Sequence, residues 1–599
     1  MRSSCTLNDV PDPSPAQLES ATVTSVAFAV LMVISITSLA SLTWMRWTDP
    51  LVDFGAQLYH ASRVAHGEWP YRDFATYNGP LSVWINGCWL WAVGDSLTSM
   101  VALNAVLATL LGGLLWEAMR RTGSPATGWV AILIFVWLFA FQRLVRANCF
   151  NYLCPYSHEH FHGLVVTFSG LLLLDSANAR TPWIIAAGVC LGAVFLTKAE
   201  NTLAAWGSAA VLVALRWLDD PRPVHAKATS LATLLASASA PIAVAWMALA
   251  AHMPLATATL GLCGSWPLVF RPDIQSLPFF RSSMGTDDIL VNSLALAGAS
   301  ATVVLPLLGL DRFTQLSARS RWPALLFSVG IGFLGCVILL QSAEPAHFLF
   351  RGIPIWMVCF LLLHRWAWIT AANEPLARER AAWSITLVVM ASLLLAKISL
   401  NCRVSHYGFI LAMPAVVVTG GCLWNGWRSP DAPYTRACGL AILTAAVMSL
   451  HFNVFRVLLA APPVLCGQGR DRFFGDDERA AAVHAASEWL RVNTRPDDTV
   501  VVMPEGALIN YLSRRKGGKF VNFMPPEVMF FGEETILNEF RRQPPTYILL
   551  APKNMKEWGV RFGESHLRNT LEWLNDRYAP VTVLGDPQSP YRISVYALK

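Results

Sequence analysis

Long apolar runs alternate with short polar loops through the first three quarters of the chain. A helix needs about 20 apolar residues to cross a bilayer, and about thirteen runs approach or reach that length. They lie at 22–44, 98–119, 125–143, 161–178, 182–197, 201–218, 229–251, 289–309, 323–341, 352–371, 382–400, 407–425 and 434–453. The pattern therefore predicts a polytopic α-helical membrane protein.

A polar stretch follows the first span and reads DPLVDFGAQLYHASRVAHGEWPYRDFATYNGP (49–80). Its segment GAQLYHASRVAHG predicts a helix closed by Gly67 at the C-cap. The apolar segment 81–94 is too short to cross a bilayer and predicts a helix in the membrane interface. Residues 49–97 are thus expected to form a first outer loop with juxtamembrane helices.

The composition changes to that of a soluble protein near residue 454. Helical patterns such as ERAAAVHAASEWLRVN alternate there with apolar strands such as TVVVM and TYILL. This alternation predicts a small α/β domain over 454–599. It has no glycine-rich phosphate loop, no metal-ligand spacing and no nucleophile elbow, so we assign no catalysis to it.

The charge pattern sets the expected orientation. Lys and Arg concentrate in alternate short loops, which places the polar tail 1–21 in the cytoplasm and the C-terminal domain outside. We expect an integral, multi-pass inner or plasma membrane protein whose site and C-terminal domain are extracytoplasmic (periplasmic). The net charge of +6 is modest. It favours orientation charges and a phosphate site over nucleic-acid binding.

The outer loops carry most of the polar candidates. They contain RLVRANCFNYLCPYSHEHFH (143–162), TKAEN (197–201), SWPLVFRPDIQSLPFFRSSMGTDD (265–288), QSAEPAHFLFRG (341–352) and NCRVSHYG (401–408). Ionisable groups at span ends are costly unless they serve a polar cavity. Their concentration on one face predicts one site at the outer membrane surface.

Asp53 precedes the predicted helix of the first outer loop. A carboxylate there suits a general base or a ligand of a divalent cation, and the alternative is a helix N-cap. His158 and His162 share a helix face beside Glu159. That spacing suits a metal site, hydrogen bonds to a substrate phosphate or sugar, or structural polar residues. Asp53, Glu159 and His158 are the metal candidates, although no cofactor is assigned.

Basic side chains at the outer span ends are candidates for phosphate binding. Lys198 suits a phosphate as a point charge or pairs with Glu200. Four arginines suit bidentate phosphate binding, with Arg351 as first choice. They are Arg143, Arg146, Arg351 and Arg403.

The order of these motifs resembles a known family. Asp53-Phe54 stands where that family has an Asp-Glu pair, Asn78-Gly79-Pro80-Leu81 where it has His-Pro-Pro-Leu, and LTKAEN (196–201) is similar to its LTKGP span end. The chain thereby resembles the bacterial glycosyltransferases of the GT-C fold. This group is related to the protein mannosyltransferases and the lipid A aminoarabinose transferase. The second acid and the His are absent here, which leaves the metal dependence and the donor open.

The resemblance implies that residues 22–453 form a GT-C catalytic domain that transfers a sugar from a polyprenyl-phosphate donor on the outer membrane face. The acceptor would be a glycan, a lipid or a protein, and a single displacement would invert the anomeric carbon. Asp53 matches the position of the family's base, and Tyr77 and Asn78 join the substrate-binding candidates. A flippase or transporter of lipid-linked sugars, or an enzyme like the O-antigen ligases and polymerases, remains an alternative.

Overall fold

The structure is a computed structural model that describes residues 15–142, 151–177, 180–316, 330, 337, 344–425, 433–460, 463–475, 478–551, 553–586 and 588–599. The first part of the chain is helical. Its helices are α1 (Pro15–Leu42), α2 (Phe54–Ala65), α3 (Pro80–Val93), α4 (Leu97–Arg120), α5 (Pro125–Phe135), α6 (His158–Ser176), α7 (Thr181–Phe195), α8 (Ala199–Asp219), α9 (Val224–Ala250), α10 (Leu255–Cys263), α11 (Trp266–Val269), α12 (Pro272–Gln275), α13 (Pro278–Met284), α14 (Ile289–Leu316), α15 (Glu344–Phe350), α16 (Ile353–Thr370), α17 (Pro375–Leu395), α18 (Met413–Asn425) and α19 (Pro433–Ala460).

Each predicted span except 323–341 coincides with a helix, and most of 323–341 lies outside the described residues. Among the described residues, seven helical segments are long and apolar enough to cross a membrane. Three further apolar helices are shorter, at Pro125–Ala140, Thr181–Phe195 and Cys438–Phe452. The protein is therefore an integral multi-pass membrane protein, and a total of about thirteen spans stays a prediction.

The bundle has a packed interior and an apolar exterior. Helices α5, α6, α17 and α18 contribute to one large buried hydrophobic cluster. On α1, by contrast, Val33 and Ile34 expose 64% and 57% of their surface. Apolar side chains in such numbers on the outside of long helices fit a hydrocarbon environment.

The C-terminal region is the predicted α/β domain, preceded by the end of α19 at Ala460. Its strands are β1 (Val464–Cys466), β2 (Phe473–Gly475), β3 (Val500–Met503), β4 (Tyr547–Leu550), β5 (Tyr578–Leu584) and β6 (Ile593–Leu598). Its helices are α20 (Glu478–Asn493), α21 (Ala507–Ser513), α22 (Pro525–Phe531), α23 (Glu533–Arg542) and α24 (Arg568–Arg577).

Four strands form a mixed sheet in the order β3-β4-β6-β5. Strands β3 and β4 are parallel, with Val500 beside Tyr547 and Met503 beside Leu550. The other two pairs are antiparallel, and β1 and β2 form a separate antiparallel pair. The carboxyl ends of β3 and β4 therefore lie at the same edge of the sheet.

The C-terminal domain is docked on the loop region 49–97. A single hydrophobic cluster includes Phe54 and Leu58 of α2 together with Leu508 of α21. Polar contacts add to it: the backbone N–H of Ala75 donates to Lys519 O at 2.8 Å, and Arg63 Nη1 donates to Gly518 O at 2.8 Å. Residues 49–97 are therefore packed between the bundle and the C-terminal domain.

The position of Asp95 in a polar loop predicts a solvated surface residue. This prediction is wrong, since its side chain is only 16% exposed. Its carboxylate accepts hydrogen bonds from Ser62 Oγ at 2.6 Å and from Arg514 Nη1 at 3.0 Å. The C-terminal domain covers the Asp95 side chain, and the local sequence contains no signal that predicts this contact.

Candidate active site

A cavity of about 700 Å³ lies where one end of the bundle meets the C-terminal domain. Its wall combines the loop region 49–97 with segments near residues 156–157, 198–203, 265–286 and 396–411. These segments belong to polar loops that the sequence assigned to a single face. The C-terminal domain adds a wall that the sequence did not predict.

Asp53 lines this cavity in an unusual backbone conformation, with φ 51° and ψ −69°. Positive φ is rare for a residue with a side chain, and such a conformation costs on the order of 1–3 kcal/mol. The surrounding structure must therefore hold the residue in place. Strain of this kind concentrates at sites where geometry matters for function.

The N-cap alternative for Asp53 is not realised. Asp53 occupies the N-cap position of α2, but its side chain makes no capping hydrogen bond. The neighbouring carboxylate of Asp49 binds the local backbone instead, accepting from the N–H groups of Leu51 and Val52 at 2.9 and 2.7 Å. Asp49 thus has a structural role, and the Asp53 carboxylate is left for the cavity.

The C-terminal domain brings two acids and a lysine to Asp53. Glu505 Oε1 accepts the backbone N–H of Asp53 at 2.9 Å, and Glu505 Oε2 pairs with Lys553 Nζ. Burial and the Glu505 carboxylate raise the pKa of Asp53 well above its ordinary value, while Lys553 opposes the shift. Burial lowers the pKa of Lys553, but the Glu505 carboxylate outweighs it and raises that pKa.

Glu527 is the second acid from the C-terminal domain. Its Oε1 accepts from Tyr77 Oη at 2.9 Å and from Asn522 Nδ2 at 3.0 Å. Burial raises its pKa to about 7, and Glu505 adds to the shift. Tyr77, a substrate-binding candidate, therefore lines the cavity while tied to the C-terminal domain.

Glu159 organises the bundle side of the site. Its carboxylate accepts from Gln57 Nε2 at 3.2 Å, from Asn78 Nδ2 at 3.0 Å and from Ser157 Oγ at 3.0 Å. These three donors line the cavity, whereas Glu159 is buried behind them at 4% exposure. Glu159 therefore orients Asn78 and Gln57.

The predicted metal set does not come together. His158 is fully buried and its Nε2 lies 3.1 Å from Asn104 Nδ2, so it faces a bundle helix. His162 is also buried, and neither of its ring nitrogens has a hydrogen-bond partner among the residues that the structure describes. Neither histidine lines the cavity with Asp53. In the described part of the chain, no three His, Cys, Asp or Glu side chains gather as metal ligands. The named residues thus do not fit a cation site.

Lysines supply the positive charge on the bundle side. Lys198 and Lys397 both line the cavity. Lys397 Nζ lies 2.8 Å from Glu200 Oε1, whereas Lys198 Nζ lies 4.0 Å from the same atom. Lys198 is thus only loosely paired, and two lysines share one carboxylate.

Two of the four candidate phosphate-binding arginines, Arg351 and Arg403, lie away from the cavity. Arg351 Nη2 donates to Asn292 Oδ1 and to Asn401 Oδ1, both at 2.9 Å. Neither Arg351 nor Arg403 lines the cavity. Arg143 and Arg146 lie outside the described residues.

Two motifs behind the family resemblance are in direct contact. The backbone N–H of Gly79 donates to Thr197 O at 2.9 Å, and that of Leu81 donates to Leu196 O at 3.1 Å. A Cβ on Gly79 would lie 2.2 Å from the Leu196 carbonyl oxygen. Only glycine permits this approach, which sets Asn78 beside Lys198 at the cavity.

The sequence interpretation missed Glu505, Glu527 and Lys553. A signal for two of them exists: Glu505 follows β3 and Lys553 follows β4, each within three residues of the strand end. Polar residues at the carboxyl ends of neighbouring parallel strands often form sites. The parallel pairing of β3 with β4 was needed to use that signal.

No protein-family model and no curated protein matches the chain. Solved structures do resemble it. The archaeal oligosaccharyltransferase AglB from Archaeoglobus fulgidus, in complex with an inhibitory peptide and a dolichol-phosphate, is 12% identical with a TM-score of 0.45, over 88% of this chain and 69% of AglB. ArnT from Cupriavidus metallidurans in the apo state is 14% identical with a TM-score of 0.39, over 95% and 98% of the two chains. ArnT has also been solved bound to undecaprenyl phosphate.

Proposed function

We propose that this protein is a membrane glycosyltransferase that moves a sugar from a polyprenyl-phosphate donor to a hydroxyl group of a cell-envelope acceptor. The observation that carries the proposal is the cavity itself. It places the carboxylate of Asp53, which makes no capping hydrogen bond, and two lysines, Lys198 and Lys397, on the walls of one chamber at the end of a membrane bundle. Such a chamber can receive a lipid-linked substrate from the bilayer.

Asp53 acts as the general base in this proposal. The acceptor hydroxyl gives its proton to the Asp53 carboxylate while its oxygen forms a bond with the anomeric carbon. The bond from that carbon to the phosphate oxygen breaks, and the lipid phosphate leaves with the electron pair. A single displacement inverts the anomeric carbon. The raised pKa of Asp53 makes its carboxylate a stronger base once ionised.

Lys198 and Lys397 stabilise the leaving phosphate. Charge builds up on the phosphate oxygens as the bond breaks, and fixed cations in a water-poor site stabilise that charge. The two lysines compete for Glu200, so one cation is available to a phosphate without breaking the stronger pair. Asn78 and Gln57 line the same chamber, and each amide keeps a second N–H that can donate to a sugar oxygen. Tyr77 also lines it and, because its hydroxyl donates to Glu527, is placed to accept a hydrogen bond from a sugar hydroxyl.

The proposal includes an orientation. The charge bias of the loops puts the cavity and the C-terminal domain on the outer, periplasmic side of the inner or plasma membrane. The donor's lipid tail then lies in the outer leaflet. Cysteine-labelling accessibility of Cys88, an exposed thiol on α3, in intact cells tests this orientation.

Transfer is tested with the purified protein in vesicles that contain a polyprenyl-phosphate sugar pool extracted from host membranes. Mass spectrometry of acceptor glycans measures the product. Asp53→Asn should abolish transfer without lowering the melting temperature. Asp73→Asn serves as the control, since Asp73 pairs with Arg72 outside the cavity. Full activity of the Asp53→Asn protein refutes the mechanism, and movement of the donor between leaflets without any glycan product favours a flippase.

A further inference from the structure

The turn that carries Asp53, residues 49–53, is bound by side chains of the C-terminal domain. Glu505 accepts the Asp53 backbone N–H at 2.9 Å. Arg479 Nη2 lies 3.4 Å from Oδ2 of Asp49, the residue whose other oxygen binds the Leu51 and Val52 amides. Both ends of the turn therefore depend on side chains more than 400 positions away.

Glu505 is itself tightly constrained. The residue is 4% exposed, and its second oxygen pairs with Lys553 Nζ. A buried carboxylate is costly unless both oxygens are satisfied, and here one oxygen meets the Asp53 amide while the other meets Lys553. Lys553 thus fixes the Glu505 carboxylate, and that carboxylate fixes the backbone of Asp53 through its N–H group.

The backbone around these contacts leaves little room for movement. A Cβ on Gly55 would lie 2.5 Å from Leu508 Cβ and 2.8 Å from the Leu508 backbone nitrogen. The first turn of α2 therefore rests directly on the first turn of α21. Glu505 lies two residues before α21 and Asp53 immediately precedes α2, so the two acids are fixed relative to each other by two helix starts.

We propose that Glu505, held by Lys553, is a positioning residue that keeps the Asp53 turn in its strained conformation, and that the C-terminal domain is thereby part of the catalytic machinery. This inference rests on the proposed function. Without the Glu505 oxygen, the Asp53 amide is buried and unpaired, and the turn relaxes toward ordinary φ. A misplacement of about 1 Å in a reacting group lowers turnover about 10²-fold.

The test compares two double variants that differ only at position 505, where one side chain keeps an acceptor oxygen and the other does not. Glu505→Gln with Lys553→Met removes both charges but keeps a carboxamide oxygen for the Asp53 amide. Glu505→Ala with Lys553→Met removes the acceptor as well. We expect a kcat about 10²-fold lower for the alanine pair than for the glutamine pair. The KM for the donor should stay within about twofold, since Lys198 and Lys397 are untouched.

Hydrogen exchange gives a second measurement that needs no turnover. The Asp53 amide should exchange about tenfold faster in the alanine pair than in the glutamine pair, because its acceptor is gone. Glu572→Gln, on the exposed surface where Glu572 meets Arg568, controls for handling and should match the wild type.

The outcomes separate this inference from the proposed function. Equal kcat and equal exchange in the two double variants overturn the positioning role. If the wild type transfers no sugar, the proposed function fails, and the exchange measurement still decides whether Glu505 holds the Asp53 turn. A lower melting temperature shared by both pairs, with equal exchange, assigns the ion pair to stability and also overturns the inference.

Discussion

Glu527 should make the stability of the protein depend on pH. The residue is 8% exposed, and burial raises its pKa from an ordinary value of 4.5 to about 7. The folded protein therefore binds this proton more tightly than the unfolded chain does. Its contribution to the free energy of unfolding is fully present below pH 4.5 and is lost as the pH rises to about 7.

The size of this loss follows from the two pKa values. Each pH unit between them is worth roughly 1.4 kcal/mol, so the free energy of unfolding falls by about 3 kcal/mol between mildly acidic and alkaline pH. Glu527→Gln removes this loss, because the amide does not ionise. The glutamine oxygen can still accept from Tyr77 and Asn522, so the hydrogen bonds at this position are kept.

Melting curves of the wild type and of Glu527→Gln, measured in detergent from pH 5 to pH 8.5, test the prediction. The two melting temperatures should nearly agree at pH 5, and the variant should be the more stable protein at pH 8. Glu564→Gln is the control. This side chain is 68% exposed, so removing its charge should leave the pH dependence of the melting temperature equal to that of the wild type. A stability difference between wild type and Glu527→Gln that is the same at every pH refutes the reasoning.

Three further predictions test other contacts. Gly79→Ala sets a Cβ against the Leu196 carbonyl oxygen and should lower the free energy of unfolding by about 1–3 kcal/mol and remove most of the activity. Gly113→Ala is the control: its Cβ would meet nothing within 4 Å, so its melting temperature should be unchanged or slightly higher. Lys397→Met should destabilise the protein by about 1–3 kcal/mol, and adding Glu200→Gln should restore much of that loss in a double-mutant cycle. If the second substitution restores nothing, the two residues do not interact. Arg514→Ala removes contacts to Asp95 and Asp471 and should lower the melting temperature while kcat stays unchanged; a fall in kcat at permissive temperature would contradict this.

The helices of the bundle could be predicted from the chain alone. An apolar run of membrane length can satisfy its backbone hydrogen bonds only within itself, so the run determines the helix. The local pattern predicted the end of α2 to within one residue: His66 is the C-cap, and Gly67, predicted for that position, follows it with φ 89°. The alternation of helix and strand after residue 454 likewise predicted the C-terminal α/β domain.

The choice among candidate side chains could not be predicted in the same way. Arg351 and Lys198 both stand at span ends, yet Lys198 lines the cavity and Arg351 binds two asparagines elsewhere. Position along a span places a residue at one membrane face, but helix rotation and packing decide what the side chain meets. The same applies to His158, which faces Asn104 in the bundle.

The sequence by itself determined a multi-pass helical membrane protein with a C-terminal α/β region, and it named Asp53 as a candidate acid. Only the tertiary structure decided that the Asp53 side chain caps no helix and that its backbone is strained. Only it decided that the Asp53 N–H binds Glu505, 452 positions later in the chain. The reason is physical. Periodicity and capping report interactions within a few residues, whereas this site is formed where two distant segments of the chain pack against each other.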